Sequence, residues 1–413
     1  MEQTGCKGED RMKIKIFPGN ASGNVTAPPS KSMAHRLLMG AGLADGISRI
    51  SHIALSEDIK ATLGILEALG CQYTYEEQVV TIKGIGNVPL TSEKALDCNE
   101  SGSTLRFFIP LLLTGGKKCE FIGAKRLMER PLDIYESICK EQGILFEQKG
   151  QSLLLEGKLK ASHFKVPGGI SSQFITGLLY ALPLLQEDSV LEILPPIESK
   201  AYIDMTLEAL EHYGVSIRKE GNCYYIKGGQ QYLAKDGYVE GDYSNAAFLD
   251  ALDVIGGAVA VDGLRADSLQ GDKVYQRYFE QLAKGHAVLD ISECPDLGPI
   301  LMGVAAAKHG AKLTGTKRLK IKESDRGTVM AQELLKFGIE TEVKENEIFV
   351  YPGELQVPTE ALDSHNDHRI AMTLATLCTI TGGVICGAEA VRKSFPNYYK
   401  MIETLGIRLE EMI

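Results

Sequence analysis

One pattern constrains the fold of this chain more than any other. An amphipathic helical stretch ends at glycine, an apolar residue follows, and two alternating strand-like runs come after it. "ATLGILEALGCQYTYEEQVVTIKG", "ESICKEQGILFEQKGQSLLLEG" and "MTLEALEHYGVSIRKEGNCYYIKGG" are its clearest examples, and "AQELLKFGIETEVKENEIFVYPG" and the terminal "MIETLGIRLEEMI" repeat it. A weaker copy is "YFEQLAKGHAVLDIS". The turn glycines are Gly70, Gly143, Gly214, Gly285, Gly338 and Gly406, and the first three stand 73 and 71 residues apart. Glycine at these places supplies the left-handed residue that ends a helix, and period-two alternation marks the strands.

Between these copies lies a second kind of helix, polar at its first turn and then apolar or small throughout. The six are "SKSMAHRLLMGAGLADG", "ESGSTLRFFIPLLLTGG", "SSQFITGLLYALPLL", "DYSNAAFLDALDVIGG", "PDLGPILMGVAAAKHG" and "NDHRIAMTLATLCTITGG". A helix that is apolar all round is a buried helix. The reading is therefore an α/β chain of six βαβαββ-like units, each with one inner and one outer helix. Six such units in 413 residues make two similar domains of three. A solenoid is the rival for such periodicity, but units near 70 residues are long for one.

The polar mouths of the inner helices carry Lys31, Ser32 and Arg36; Ser103 and Arg106; Ser171, Ser172 and Gln173; and His368 with Arg369. Ser, Asp and Asn there read as ordinary N-caps. Lys and Arg do not, because a cation in a first turn opposes the helix dipole. A bound polyanion is the simplest cause of repeating that choice. Short loops add Lys125, Arg126 and Arg130, then Ser199, Lys200 and Tyr202, then Arg392 and Lys393. "RLKIKESDR" alternates like a strand, which would set Arg318, Lys320 and Lys322 on one face, interleaved with Glu323 and Asp325.

The net charge of −10 argues against a general nucleic-acid or anionic-membrane binder, so any cationic site is local. Nine scattered cysteines show no CxxC or Cys/His spacing, which fits reduced thiols in the cytoplasm. No apolar run approaches a membrane span. The P-loop, GxSxG, HExxH and strand-borne GxGxxG patterns are missing. "HNDH" (His365, His368) is the one histidine pair that could suggest a metal. The polar leader "MEQTGCKGEDR" is unlike the rest of the chain, and Met12 opens the strand-like "MKIKIF"; the leader is expected to lie upstream of the folded start.

From about residue 14 onward the chain resembles the 5-enolpyruvylshikimate-3-phosphate synthases, a family of enolpyruvyl transferases. The resemblance rests on "PPSKSMAHRLL", "SGSTLR", "ERP", "SSQFITGLL", "SKAYIDMT", "DYSNAAF", "PDLGP", "IKESDR", "DHRIAM" and "KSFPNYY", all in the family's order. It implies an inside-out α/β barrel of two domains with inner helices pointing at an interdomain cleft. One domain would span 25–239, and the other 1–24 with 240–413. It implies transfer of the enolpyruvyl group of phosphoenolpyruvate to the 5-hydroxyl of shikimate 3-phosphate, with release of phosphate. The implied enzyme is a cytoplasmic monomer without cofactor or metal, and its partners are those two small molecules.

The same resemblance assigns residues. Lys31, Ser32, Arg36, Ser171, Ser172, Gln173, Ser199, Tyr202, Asp296 and Lys322 would meet shikimate 3-phosphate. Lys31, Gly102, Ser103, Arg126, Arg326, Arg369 and Lys393 would meet phosphoenolpyruvate. Asp296 would accept the hydroxyl proton and Glu323 would protonate the methylene carbon, with Lys31 and His368 completing the catalytic set. Addition across a double bond needs such an acid and base. Two departures from the family stand out. Glu100-Ser101-Gly102-Ser103 replaces an Asn-Ala/Ser-Gly-Thr run, and Arg318 stands where some members carry Asn. The related UDP-N-acetylglucosamine enolpyruvyl transferases carry a reactive Cys just before their Arg-Pro, whereas "GAKRLMERP" has none and Cys119 lies upstream. A non-catalytic binder of phosphorylated metabolites is the alternative from another class.

Overall fold

Residues 11–86 and 90–412 are described by the structure, a computed structural model. The strand His163–Pro167 runs parallel to Ser189–Leu194, which pairs antiparallel with Cys223–Ile226, and Ile217–Glu220 closes the sheet. The helix Ser172–Ala181 connects the first two strands, and Lys200–His212 connects the second to the hairpin. This βαβαββ plan recurs around Leu96–Asp97, Cys119–Ile122, Leu145–Lys149 and Ser152–Glu156. It recurs again around Ala287–Asp290, Ala311–Thr314, Thr341–Val343 and Glu347–Val350. A parallel pair needs a crossover helix while the hairpin needs only a turn, so the helix positions follow from the strand order.

Two further sheets keep the plan with borrowed strands. Ile47–Ser51 takes Gly237–Tyr238 as its parallel neighbour, and Gly383–Cys386 pairs with Lys13–Ile16 from the other end of the chain. The sixth copy departs from the expectation. Ser22–Thr26 and Ala258–Asp262 form a two-stranded sheet, because the strand after the helix Tyr275–Lys284 opens the next sheet instead of a hairpin. Its turn glycine, Gly285, is extended and not left-handed, whereas Gly143 ends its helix at φ 68°.

The chain divides into two compact units. One is Lys31–Glu240, and the other comes from Met1–Ser30 and Gly241–Ile413. The crossings fall at 30/31 and 240/241, against the 24/25 and 239/240 read from sequence, because Ser22–Thr26 pairs with Ala258–Asp262. Each unit has its own apolar core. All six stretches expected as buried helices are helices with mostly buried residues, from Lys31–Leu43 to His368–Thr381.

In the Lys31–Glu240 unit the inner helices approach closely. A Cβ on Gly177 would stand 2.4 Å from both the Arg106 carbonyl and the Tyr135 hydroxyl. Pro110 lies inside the helix Gly102–Gly115 and cannot donate to Arg106. Tyr135 Oη donates to that carbonyl instead, at 2.6 Å.

Three expectations need correction or bounding. Lys317–Ile321 is a 3₁₀ turn and not a strand; Arg318 is buried, Lys320 exposed and Lys322 half-buried, so they share no face. The leader expectation falls on residues 1–10, outside the described residues, but Arg11 is part of the fold and donates twice to Asp363. Among the described residues, Cys71, Cys98, Cys119, Cys139, Cys223, Cys294 and Cys378 are free. No helix among the described residues is long and apolar enough to cross a membrane.

Candidate active site

In the unit from Gly241–Ile413 the charged residues meet around Arg326, whose side chain is almost fully buried at the first turn of the helix Arg326–Lys336. Its Nη1 donates to Asp296 Oδ1 at 2.8 Å, its Nη2 to Glu323 Oε2 at 2.6 Å, and its Nε to Asp367 Oδ2 at 2.8 Å. A buried guanidinium with three carboxylates around its edge is a strong charge-assisted network. Asp296 sits on the 3₁₀ turn Pro295–Leu297, just before the inner helix Gly298–Ala307. Lys322 Nζ lies 2.9 Å from its Oδ1, and Arg369 Nη2 lies 3.2 Å from its Oδ2.

Burial alone would raise the Asp296 pKa. Arg369, Lys322 and Arg326 outweigh it and hold the carboxyl well below the usual range. Burial lowers Lys322, and its neighbour Asp296 only partly opposes this. Asp367 caps the inner helix His368–Thr381 by accepting from the Arg369 backbone N–H at 2.9 Å. Its pKa is pushed up by burial and down, on balance, by Arg326. Arg369 is buried, and its Nε and Nη1 have no hydrogen-bond partner among the described residues. His368 is buried beside Asp367, with Nδ1 3.9 Å from Oδ1, beyond hydrogen-bond range. Lys393 is buried and donates to the Asn366 carbonyl.

In the Lys31–Glu240 unit the expected residues gather at the mouths of three inner helices. Lys31 Nζ pairs with Asp58 Oδ2 at 2.6 Å. Gln173 links two mouths: its Oε1 accepts from Arg106 Nη1 at 2.8 Å and its Nε2 donates to Ser103 Oγ at 3.0 Å. Gly102 lies beneath the guanidiniums, and a Cβ there would be 2.7 Å from Arg130 Nη1 and 3.0 Å from Arg106 Nη1. Ser171 is an N-cap whose side chain accepts from the Gln173 backbone N–H. Ser172 is buried, Ser32 and Tyr202 are half-buried, and Arg126 is exposed. Ser199 is buried before the helix Lys200–His212 in left-handed backbone, φ 55°, without capping that helix by its side chain. A non-glycine residue held there is a conformation found often at ligand sites.

Arg36 is used differently from Lys31. It donates to Thr206 Oγ1, Ser32 O, Thr176 Oγ1 and Tyr202 O, which occupies four of its five N–H groups inside the protein. Its cation at a helix start is therefore matched by carbonyls and hydroxyls, and its pKa is lowered by burial to about 10. His35, to which the sequence assigns no role, is part of a buried chain. Its Nδ1 is 2.8 Å from Thr62 Oγ1, which is 2.8 Å from Thr104 Oγ1. Burial, then Lys31 and Arg36, keep His35 neutral.

Sequence reasoning missed Asp367, Asp58 and the crowding of Arg106 and Arg130 on Gly102. Asp367 is a readable N-cap. Asp58 reads as an ordinary first-turn acid after the Ser56 cap, and nothing local points to Lys31. Cys119 is buried in the strand Cys119–Ile122, and burial pushes its thiol up to about 12, which removes it as a nucleophile.

These two clusters of cations and carboxylates at buried helix mouths define an α/β enzyme built for small polyanionic substrates. A sequence model of EPSP synthase (3-phosphoshikimate 1-carboxyvinyltransferase) matches residues 17–402. The 3-phosphoshikimate 1-carboxyvinyltransferases of Clostridium novyi (strain NT) and Clostridioides difficile (strain 630) are 41% and 40% identical to this chain, over 96% of it and 98% of each relative. The solved EPSP synthase of Acinetobacter baumannii shares the fold at a TM-score of 0.77 and 24% identity, covering 97% of this chain and 100% of that one. The chain belongs to the EPSP synthase family.

Proposed function

We propose that this chain is a 3-phosphoshikimate 1-carboxyvinyltransferase of the shikimate pathway, which leads to the aromatic amino acids. The 5-hydroxyl oxygen of shikimate 3-phosphate bonds to C2 of phosphoenolpyruvate while C3 takes a proton, giving a tetrahedral ketal phosphate. C3 then loses a proton, the C2–O bond to phosphate breaks, and phosphate leaves with the enolpyruvyl ether formed. The observation that carries the reading is Arg326, which holds Asp296 and Glu323 on its two terminal nitrogens. Two carboxylates fixed side by side suit a base at the attacking oxygen and an acid at the neighbouring carbon.

Asp296 is ionised but held as a weak base by three cations. Anionic substrates would draw Lys322 and Arg369 toward themselves and restore its basicity when it is needed. The unpartnered Nε and Nη1 of Arg369 suit a carboxylate or phosphate. Shikimate 3-phosphate is assigned to Ser32, Arg36, Ser171, Ser172, Gln173, Ser199, Tyr202, Asp296 and Lys322, with Lys31 serving both substrates. Phosphate release measured with both substrates and with each alone tests the proposal. Release only with both supports it; binding without release leaves a non-catalytic binder.

A further inference from the structure

The loop that delivers Asp367, His368 and Arg369 is held from behind by groups to which the proposed reaction gives no part. His365 and Asn366 are both in left-handed backbone, with φ of 50° and 54°. Two successive non-glycine residues in that region persist only where their surroundings over-determine them. Those surroundings centre on Glu333, 1% exposed in the helix Arg326–Lys336. Glu333 Oε1 lies 2.9 Å from His365 Nε2, and Oε2 accepts from the Asp363 backbone N–H at 3.0 Å. Lys336 Nζ lies 2.9 Å from both oxygens, so the buried carboxylate is balanced without a charged histidine.

Asp363 is the second anchor. Its Oδ1 accepts from the His365 backbone N–H at 2.7 Å, and Arg11 grips both of its oxygens. The far side of the turn is tied as well, because the Asn366 carbonyl accepts from Lys393. One helix thus carries Arg326 at its start, which binds Asp367, and Glu333 two turns later, which binds His365.

We propose that Glu333 and His365 are positioning residues that lock this turn and so fix Arg369 and Lys393 for the enolpyruvyl donor. The effect on the donor rests on the reading under Proposed function; the lock itself does not. His365 is half-buried, so its removal spares the core.

The test compares full-length wild type with His365→Ala and His365→Gln, varying each substrate with the other saturating. His365→Ala is expected to raise KM for phosphoenolpyruvate about tenfold and to leave KM for shikimate 3-phosphate within about twofold. His365→Gln, whose amide can donate to Glu333, is expected to recover most of the loss. An unchanged donor KM, or equal rises for both substrates without rescue by Gln, overturns the proposal. Hydrogen exchange separates the lock from the reaction. Amides 363–369 should exchange faster in His365→Ala than in wild type, while those at Ser171–Gln173 should not change. Unchanged exchange at 363–369 overturns the lock even if the enzyme turns over, whereas a wild type without turnover contradicts only the function. Glu333→Gln is a second variant; if it fails to fold, His365→Ala still decides.

Discussion

Asp296 and Arg326 are joined by a 2.8 Å hydrogen bond from Nη1 to Oδ1, and the same guanidinium holds Glu323 on its other terminal nitrogen. The proposed base and acid are therefore set by one buried cation, and the behaviour of the site follows from its charge balance.

Asp296→Asn should lower kcat/KM by about 10²–10⁴, the range of a lost general base. It should also change the response to acid. Asp296, Asp367 and Asp363 all titrate below the ordinary carboxylate value. Groups depressed in this way stabilise the fold fully above their unfolded pKa, near 3.9, and lose that contribution as pH falls through the folded value. Urea midpoints should therefore fall below about pH 4. The fall should be shallower in Asp296→Asn; equal slopes would show that Asp296 is not held down by its three cations.

Arg326→Ala leaves Asp367 as a buried carboxylate without its main counter-charge. The expected cost is about 3–5 kcal/mol, read as a shift of the urea midpoint. A loss of activity with no loss of stability would mean that Asp367 finds another partner.

Lys31 and Arg36 should separate. Lys31→Ala removes an ion pair with Asp58 and should cut kcat/KM by about 10³ or more while the protein stays folded. Arg36→Ala strips four acceptors of their donor and should cost about 2–4 kcal/mol of stability. Equal stability losses in the two variants would contradict the larger internal hydrogen-bonding share of Arg36.

Gly102→Ala places a methyl against the ends of Arg130 and Arg106. These are the far ends of flexible side chains, so they can shift and folding should be spared. The shift moves the cations around Gly102, which the resemblance gives to the donor, and KM for phosphoenolpyruvate should rise about tenfold with Tm changed by only about 2–4 °C. An unchanged KM would place these guanidiniums outside the donor site.

Much of this fold is legible in the sequence because helix and strand periods are local. The six buried helices read directly as apolar runs with polar mouths. The borrowed strands do not, since Lys13–Ile16 and Gly237–Tyr238 meet partners that no local pattern names. The site shows the same limit. The cations at the helix mouths are visible, but their partners come from distant segments. Arg36 reads as an anion ligand, and its bonds to Thr206 and Tyr202 are invisible in the sequence. "RLKIKESDR" shows how a short alternating run can mislead, because its 3₁₀ turn places Lys322 beside Asp296 and leaves Lys320 in solvent.

The most direct test of the addition–elimination account is the reaction of phosphoenolpyruvate with shikimate 3-phosphate in deuterium oxide, with the product read by mass spectrometry. Protonation at C3 makes a transient methyl group that carries solvent deuterium, and elimination retains part of it. The account predicts an enolpyruvyl product labelled at its methylene, with one phosphate released for each transfer. Phosphate released without shikimate 3-phosphate, or a product without solvent deuterium, would contradict it.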